Sequence, residues 1–287
     1  MGFVAFAAMK YGPSTAPLNA SQGIKAGINT AGLSCDKQSL GATVFPRPVG
    51  EGRDVDGALL CRWALERFRN VTELRAGLDL VNFVAPAHDD NFANGHWALR
   101  DAWGQGVVVE FVAGVMEVYE DHNDGGKTGF GVMTNSPSFP WQLESARFRQ
   151  WKEGKFAPAV AIDGSWYPDA RFQRLVLVKS LMTTEPTSLQ TAVAQAVAAL
   201  NTVSVPMGSQ PGKDMGSDED HRTEFAVIWD HQRAAVYWRT VANSNLQRLQ
   251  LSDAGLTQGG RQRILLVKSP RLPWFNDAAA ELMRQAV

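Results

Sequence analysis

Strand-like and helix-like segments come in runs in this chain, and that grouping constrains the fold more than any single motif. Runs of strands followed by runs of helices favour α+β layering over the alternating units of a parallel sheet. Residues 3–9, 24–28 and 33–40 read as strands, the last two joined antiparallel by the tight turn Asn29-Thr30-Ala31-Gly32. Residues 54–68 read as a helix, because Leu60, Trp63, Ala64 and Phe68 recur at helical spacing. Asn70 with Glu73 three residues later makes a capping box for a second helix carrying Leu74, Leu78 and Val81. A meander follows over residues 96–101, 106–111 and 116–119, with Val107 and Val109 on one face and Glu110 on the other. A further short strand is expected over 129–134, then helices over 140–151, 168–181 and 188–200. Strands over 224–229, 234–240, 246–251 and 263–267 and a helix from about residue 276 complete the pattern.

Composition narrows the class. The 287 residues carry 28 Lys+Arg against 29 Asp+Glu, a formal charge of -1. Nucleic-acid and anionic-membrane surfaces need a basic excess, so neither is expected as a partner. The longest apolar runs, such as residues 2–9, are too short to span a bilayer, and no basic segment precedes that run to make it a leader. No P-loop, HExxH or GxSxG motif occurs, and the Gly-rich pieces at 104–106 and 129–131 lack the strand–GxGxxG–helix context, so no cofactor is expected. The polar stretch 120–126 lacks calcium-loop spacing and reads as a solvated hairpin loop, and 218–221 as a charged mobile loop, so no metal site is expected. Cys35 and Cys61 are too few for a cysteine zinc site. They can form one disulfide, but a chain this long needs no staple, and both are expected as buried apolar residues. No linker or internal repeat divides the chain, which reads as a single domain over 1–287.

One segment is more specific: Gly131-Val132-Met133-Thr134-Asn135-Ser136-Pro137-Ser138-Phe139-Pro140-Trp141. An Asn between a strand end and a helix start either bonds its own backbone in a turn or donates to a developing oxyanion. The run from Met133 to Leu143 resembles the signature of the choloylglycine hydrolase family, the bile salt hydrolases and penicillin V acylases. Further landmarks are similar and collinear: Gly27-Ile28-Asn29-Thr30-Ala31-Gly32-Leu33, His96-Trp97 with Asp101 and Val107-Val108-Val109-Glu110, and Arg171-Phe172-Gln173-Arg174. Val203-Ser204-Val205-Pro206-Met207-Gly208 and Tyr237-Trp238-Arg239-Thr240 follow in order.

The resemblance implies a four-layer αββα sandwich of the N-terminal-nucleophile hydrolases and cleavage of a linear amide C–N bond in a small-molecule N-acyl substrate. In that family an N-terminal Cys attacks the carbonyl, with its own α-amine, of ordinary pKa roughly 7.7–8, as general base. Asn135 then corresponds to an oxyanion donor, and Arg171 to a fixed charge beside the nucleophile that favours thiolate. Gln38 aligns with a second oxyanion position, and Arg174 reads as structural. The family's Cys and its supporting Arg and Asp lie upstream of the strand matched by residues 2–9, so an N-terminally incomplete copy with no nucleophile of its own and with exposed sheet edges is expected. Bile salts, penicillin V and N-acyl homoserine lactones are all family substrates, and a homotetramer is the expected assembly. Two alternatives are a catalytically dead relative serving as a binding or assembly scaffold, and a lipid amidase of the acid-ceramidase branch.

Overall fold

The computed structural model describes residues 1–7, 24–86, 94–153, 163–209, 221–256 and 271–274. Its strands are β1 (Phe3–Ala7), β2 (Ile24–Asn29), β3 (Ser34–Gln38), β4 (Asp54–Asp56), β5 (Asn82–Val84), β6 (His96–Arg100), β7 (Gly106–Val112), β8 (Val115–Glu120), β9 (Phe225–Asp230), β10 (Ala235–Thr240) and β11 (Asn243–Gln250). Its α-helices are α1 (Leu60–Arg67), α2 (Val71–Leu78), α3 (Phe139–Glu153), α4 (Pro168–Leu181) and α5 (Leu189–Asn201). The strands expected at 263–267 and the helix from 276 lie outside the described residues, as do residues 8–9 and 218–220.

The turns explain the larger sheet, whose order is β1-β2-β3-β6-β7-β8. Asn29 ends β2 by accepting from Ala31 N at 3.0 Å and Leu33 N at 3.1 Å, while its amide donates to Leu65 O and Phe68 O in the helix layer. Gly32 has φ +86°, and a Cβ there would sit 2.2 Å from the His231 carbonyl, so only glycine lets β3 return. Ala113 and Gly114, both at positive φ, join β7 to β8 in the tight turn that hairpins favour.

Side-chain alternation assigns the layers. Cys35, Trp97, Leu99, Val107, Val109 and Phe111 face α1 and α2, with Leu60, Leu65, Leu74 and Leu78. The opposite face divides its partners. At the β1–β2 side, Phe6 and Ala26 pack on Val236 and Trp238 of the smaller sheet, order β11-β10-β9. At the β7 side, Val108 packs with Phe139 and Leu143 of α3 and Phe172 and Val176 of α4. Arg239 points from the outer side of the smaller sheet to Asn201 of α5, which closes the fourth layer. The helix–sheet–sheet–helix order that the resemblance implies is thus present, in agreement with the α+β layering expected from grouped elements.

Four expectations need correction. Residues 54–56 are not helical: Asn82 Nδ2 and the amides of Val49 and Gly50 take the Asp54 carboxylate, and β4 pairs in parallel with β5. Residues 129–134 form no strand, because side chains take their backbone groups. Gly131 N donates to Asp121, Lys179 donates to Phe130 O and Gly131 O, and Thr134 N donates to Gln142. The 120–126 loop is therefore not a hairpin, and it is not fully solvated either, since Asp121 is buried against Arg100. Finally, Cys35 and Cys61 are buried as expected but are bonded to each other, tying β3 to α1 across 26 residues.

Candidate active site

Three sequence-predicted residues meet at one half-open corner. Gln38 ends β3, Asn135 lies in the segment before α3, and Arg171 is in the first turn of α4, where Pro168 opens the helix. Arg171 Nη2 donates to Asn135 Oδ1 at 2.7 Å, and Arg171 Nε is held by Trp166 O at 2.9 Å. A guanidinium only donates, so this contact fixes which end of the Asn135 carboxamide is oxygen. Its Nδ2 consequently faces Gln38, whose Oε1 accepts at the long distance of 3.4 Å. Among the described residues the second Nδ2 hydrogen has no protein acceptor.

The backbone that carries Asn135 is clamped on every side. Gln142 Nε2 donates to Asn135 O at 2.8 Å and Pro137 O at 2.7 Å, while its Oε1 accepts from Thr134 N. Thr134 Oγ1 donates to Pro168 O, joining the segment to the start of α4. Ser136 N donates to Ser39 O and Gly41 N to Ser136 Oγ, which brings β3's end to within reach of a residue 97 positions away. Rigid support of this kind lets a polar group act at a fixed place without reorganising. Arg171 stays a cation although burial, then Arg174, lower its pKa. Arg174 donates to Thr202 O, Asp163 O and Ser165 O and stacks over Trp166, a brace rather than a reacting group.

A second polar cluster lies on the same face of β3. Ser34, Asp36 and Gln38 alternate along the strand, and the first two line a cavity of about 160 Å³ with Arg100, Asp121, Trp229 and His231. Trp229 Nε1 donates to Asp36 at 3.0 Å, and His231 Nε2 lies 3.0 Å from Ser34 Oγ. Burial between the layers pushes the Asp36 carboxyl up to about 7 and the His231 imidazole down to about 4. Sequence reasoning passed over both; alternation along the strand that ends in Gln38 was the available signal. It also passed over Gln142 and Thr134, which sit inside the very motif that singled out Asn135. No group of three or more His, Cys, Asp or Glu able to hold a metal occurs among the described residues. No described helix is long and apolar enough to cross a membrane.

The chain is similar to known proteins in sequence and in fold. The profile of the linear amide C–N hydrolases, choloylglycine hydrolase family, matches residues 16–264. The bile salt hydrolase/transferase of Clostridium perfringens is 24% identical over 257 residues, covering 80% of this chain and 73% of that protein. A conjugated bile acid hydrolase of Lactobacillus acidophilus is 28% identical over 213 residues, covering 67% of this chain but only 63% of its own length. Among solved structures, a mutant conjugated bile acid hydrolase from Clostridium perfringens superposes with a TM-score of 0.73 at 19% identity, over 88% of this chain and 80% of that one. Penicillin V acylase from Agrobacterium tumefaciens gives 0.69 at 21% identity, over 83% and 69% respectively. Likeness at these identities establishes the fold, and the profile match establishes the family.

Proposed function

The chain belongs to the choloylglycine hydrolase family of linear amide C–N hydrolases, and from that premise we propose that Gln38, Asn135 and Arg171 form the carbonyl-binding half of an N-acyl amide hydrolase site. One observation carries the reading: Arg171 fixes the Asn135 carboxamide with its Nδ2 turned towards Gln38, to which it donates a single long hydrogen bond of 3.4 Å. An amide carbonyl placed against Asn135 Nδ2 gains a hydrogen bond that strengthens as its oxygen becomes an oxyanion, which is the kind of contact that lowers a barrier. Gln38, whose Oε1 accepts from Asn135 Nδ2, brings a second carboxamide to the same opening.

The rest of the cycle follows the family's chemistry. A cysteine thiolate adds to the carbonyl carbon, the C–N bond breaks as the amine leaves with a proton, and water then hydrolyses the thioester to the acid and regenerates the thiol. Neither cysteine of this chain performs that attack, since Cys35 and Cys61 are joined in a buried disulfide. The same fact favours the second reading, a relative that binds N-acyl compounds without turning them over.

A titration with N-phenylacetylglycine, a small linear N-acyl amide, tests the site. The Asn135 side-chain amide resonance is expected to move, and Asn135→Ala to weaken binding about tenfold, the worth of one good hydrogen bond. No displacement of that resonance at saturating probe sinks the assignment of the carbonyl site. The 287-residue chain is expected to release no amine. Release that persists after thiol alkylation overturns the cysteine mechanism. The in-frame DNA preceding Met1 decides between the two readings, according to whether it encodes a cysteine followed by Arg and Asp in strand context.

A further inference from the structure

His96 and Glu110 are both fully buried, opposite each other on β6 and β7, and neither has a role in the chemistry above. We propose that they form a single proton-sharing pair that positions Asn135 by holding the carbonyl of the residue before it. The inference deepens the carbonyl-site reading and rests on it for its function, though not for its geometry.

The hydrogen bonds leave little choice of proton placement. His96 Nε2 lies 2.6 Å from Thr134 O, and a carbonyl only accepts, so Nε2 carries a proton. His96 Nδ1 lies 2.7 Å from Glu110 Oε1, and Phe139 N donates to that same oxygen at 2.7 Å. One further proton therefore lies between Nδ1 and Oε1, whichever atom holds it, because two bare acceptors at that distance repel. Glu110 Oε2 has no partner among the described residues, so the whole hydrogen-bonding capacity of this carboxyl runs through Oε1. That oxygen does two jobs at once. It takes the first amide of α3, where a helix N-terminus favours an acceptor, and it orients the imidazole that holds Thr134.

The consequence is a rigid path from the centre of the larger sheet to the reacting corner. Glu110 sets α3, α3 carries Gln142, and Gln142 holds Asn135 O and Pro137 O. His96 sets Thr134 O from the other side. The two arms end on the backbone carbonyls of Thr134, Asn135 and Pro137, the segment that aims the Asn135 amide. His96 and Glu110 are positioning residues, since neither touches the opening.

Two measurements on the whole chain test this. In the unliganded protein with ¹⁵N-labelled histidine, His96 is expected to show a slowly exchanging Nε2–H; a bare Nε2 overturns the proposal. That result does not depend on any variant folding. The second compares His96→Phe, which keeps a ring but no donor, with His96→Gln, whose Nε2 can still donate to Thr134 O. The Phe variant is expected to shift the Asn135 side-chain amide and weaken N-phenylacetylglycine binding about tenfold, and the Gln variant to recover most of both. Equal effects from Phe and Gln mean that His96 only fills space, which overturns the positioning role. If the wild-type chain binds no probe, the carbonyl-site reading fails, and the Asn135 resonance in the two variants still decides whether His96 positions it.

Discussion

At the scale of single residues, the orientation of one carboxamide carries the functional argument, and the charge beside it makes that orientation testable. Arg171→Met removes the contact to Asn135 Oδ1 and frees the amide to rotate. Affinity for N-phenylacetylglycine is expected to fall about tenfold, read by calorimetry, with an unchanged circular dichroism spectrum. The pair between the sheets predicts an unusual pH response. The folded chain keeps the Asp36 proton up to about 7 against an ordinary 3.8, so this group makes stability fall as pH rises across that window. His231 is lowered from 6.5 to about 4, first by burial and then by Arg100, so the folded chain binds fewer protons there than the unfolded one, and stability rises with pH from about 4 to 6.5. The two slopes oppose each other in the intact protein. Asp36→Asn is expected to expose a melting temperature that climbs between pH 4 and 6.5, and His231→Gln one that falls. Melts of both variants across that range check the pair, and parallel profiles count against it.

At the scale of elements, the local signals worked where a segment satisfies itself and failed where a distant side chain intervenes. The Asn70 cap of α2 is present, with Oδ1 accepting from Glu73 N at 2.8 Å, and Asn70→Ala is expected to cost about 1 kcal/mol in denaturant titration. Pro168 opens α4 where the sequence places it. Residues 129–134 have strand-like composition, yet Asp121, Lys179 and Gln142 reach their backbone from elsewhere, and no propensity argument contains those partners. Gly131, at φ +62° and with Lys179 Nζ 2.5 Å from where a Cβ would be, marks the place where the ladder is abandoned. The disulfide belongs to this scale too. Closing 26 residues between β3 and α1, it is expected to contribute roughly 3 kcal/mol through the unfolded chain. Cys61→Ser, or full reduction, is expected to lower the denaturation midpoint accordingly, while thiol titration of the unfolded, unreduced chain finds no free thiol.

At the scale of the whole molecule, the larger sheet is the organising layer: helices cover one face, and the other is shared between α3, α4 and the smaller sheet. Local stability should follow that burial. Amides of β7, whose side chains are nearly all buried, and of its neighbour β6, mostly buried, are expected to exchange slowest, and those of α5, which has no fully buried residue, among the first, as hydrogen exchange would show. The sequence by itself determined the α+β layering and the order of most elements. Periodicity, capping and turn chemistry are local, and a collinear set of motifs survives without knowing where the chain goes. Only the tertiary structure decided that Gln38, Asn135 and Arg171 meet, that Cys35 pairs with Cys61, and that His96 and Glu110 stand behind Asn135. Each of those facts is a contact between residues far apart in the chain, made because burial forces a polar group to find its partner wherever the packed layers bring one.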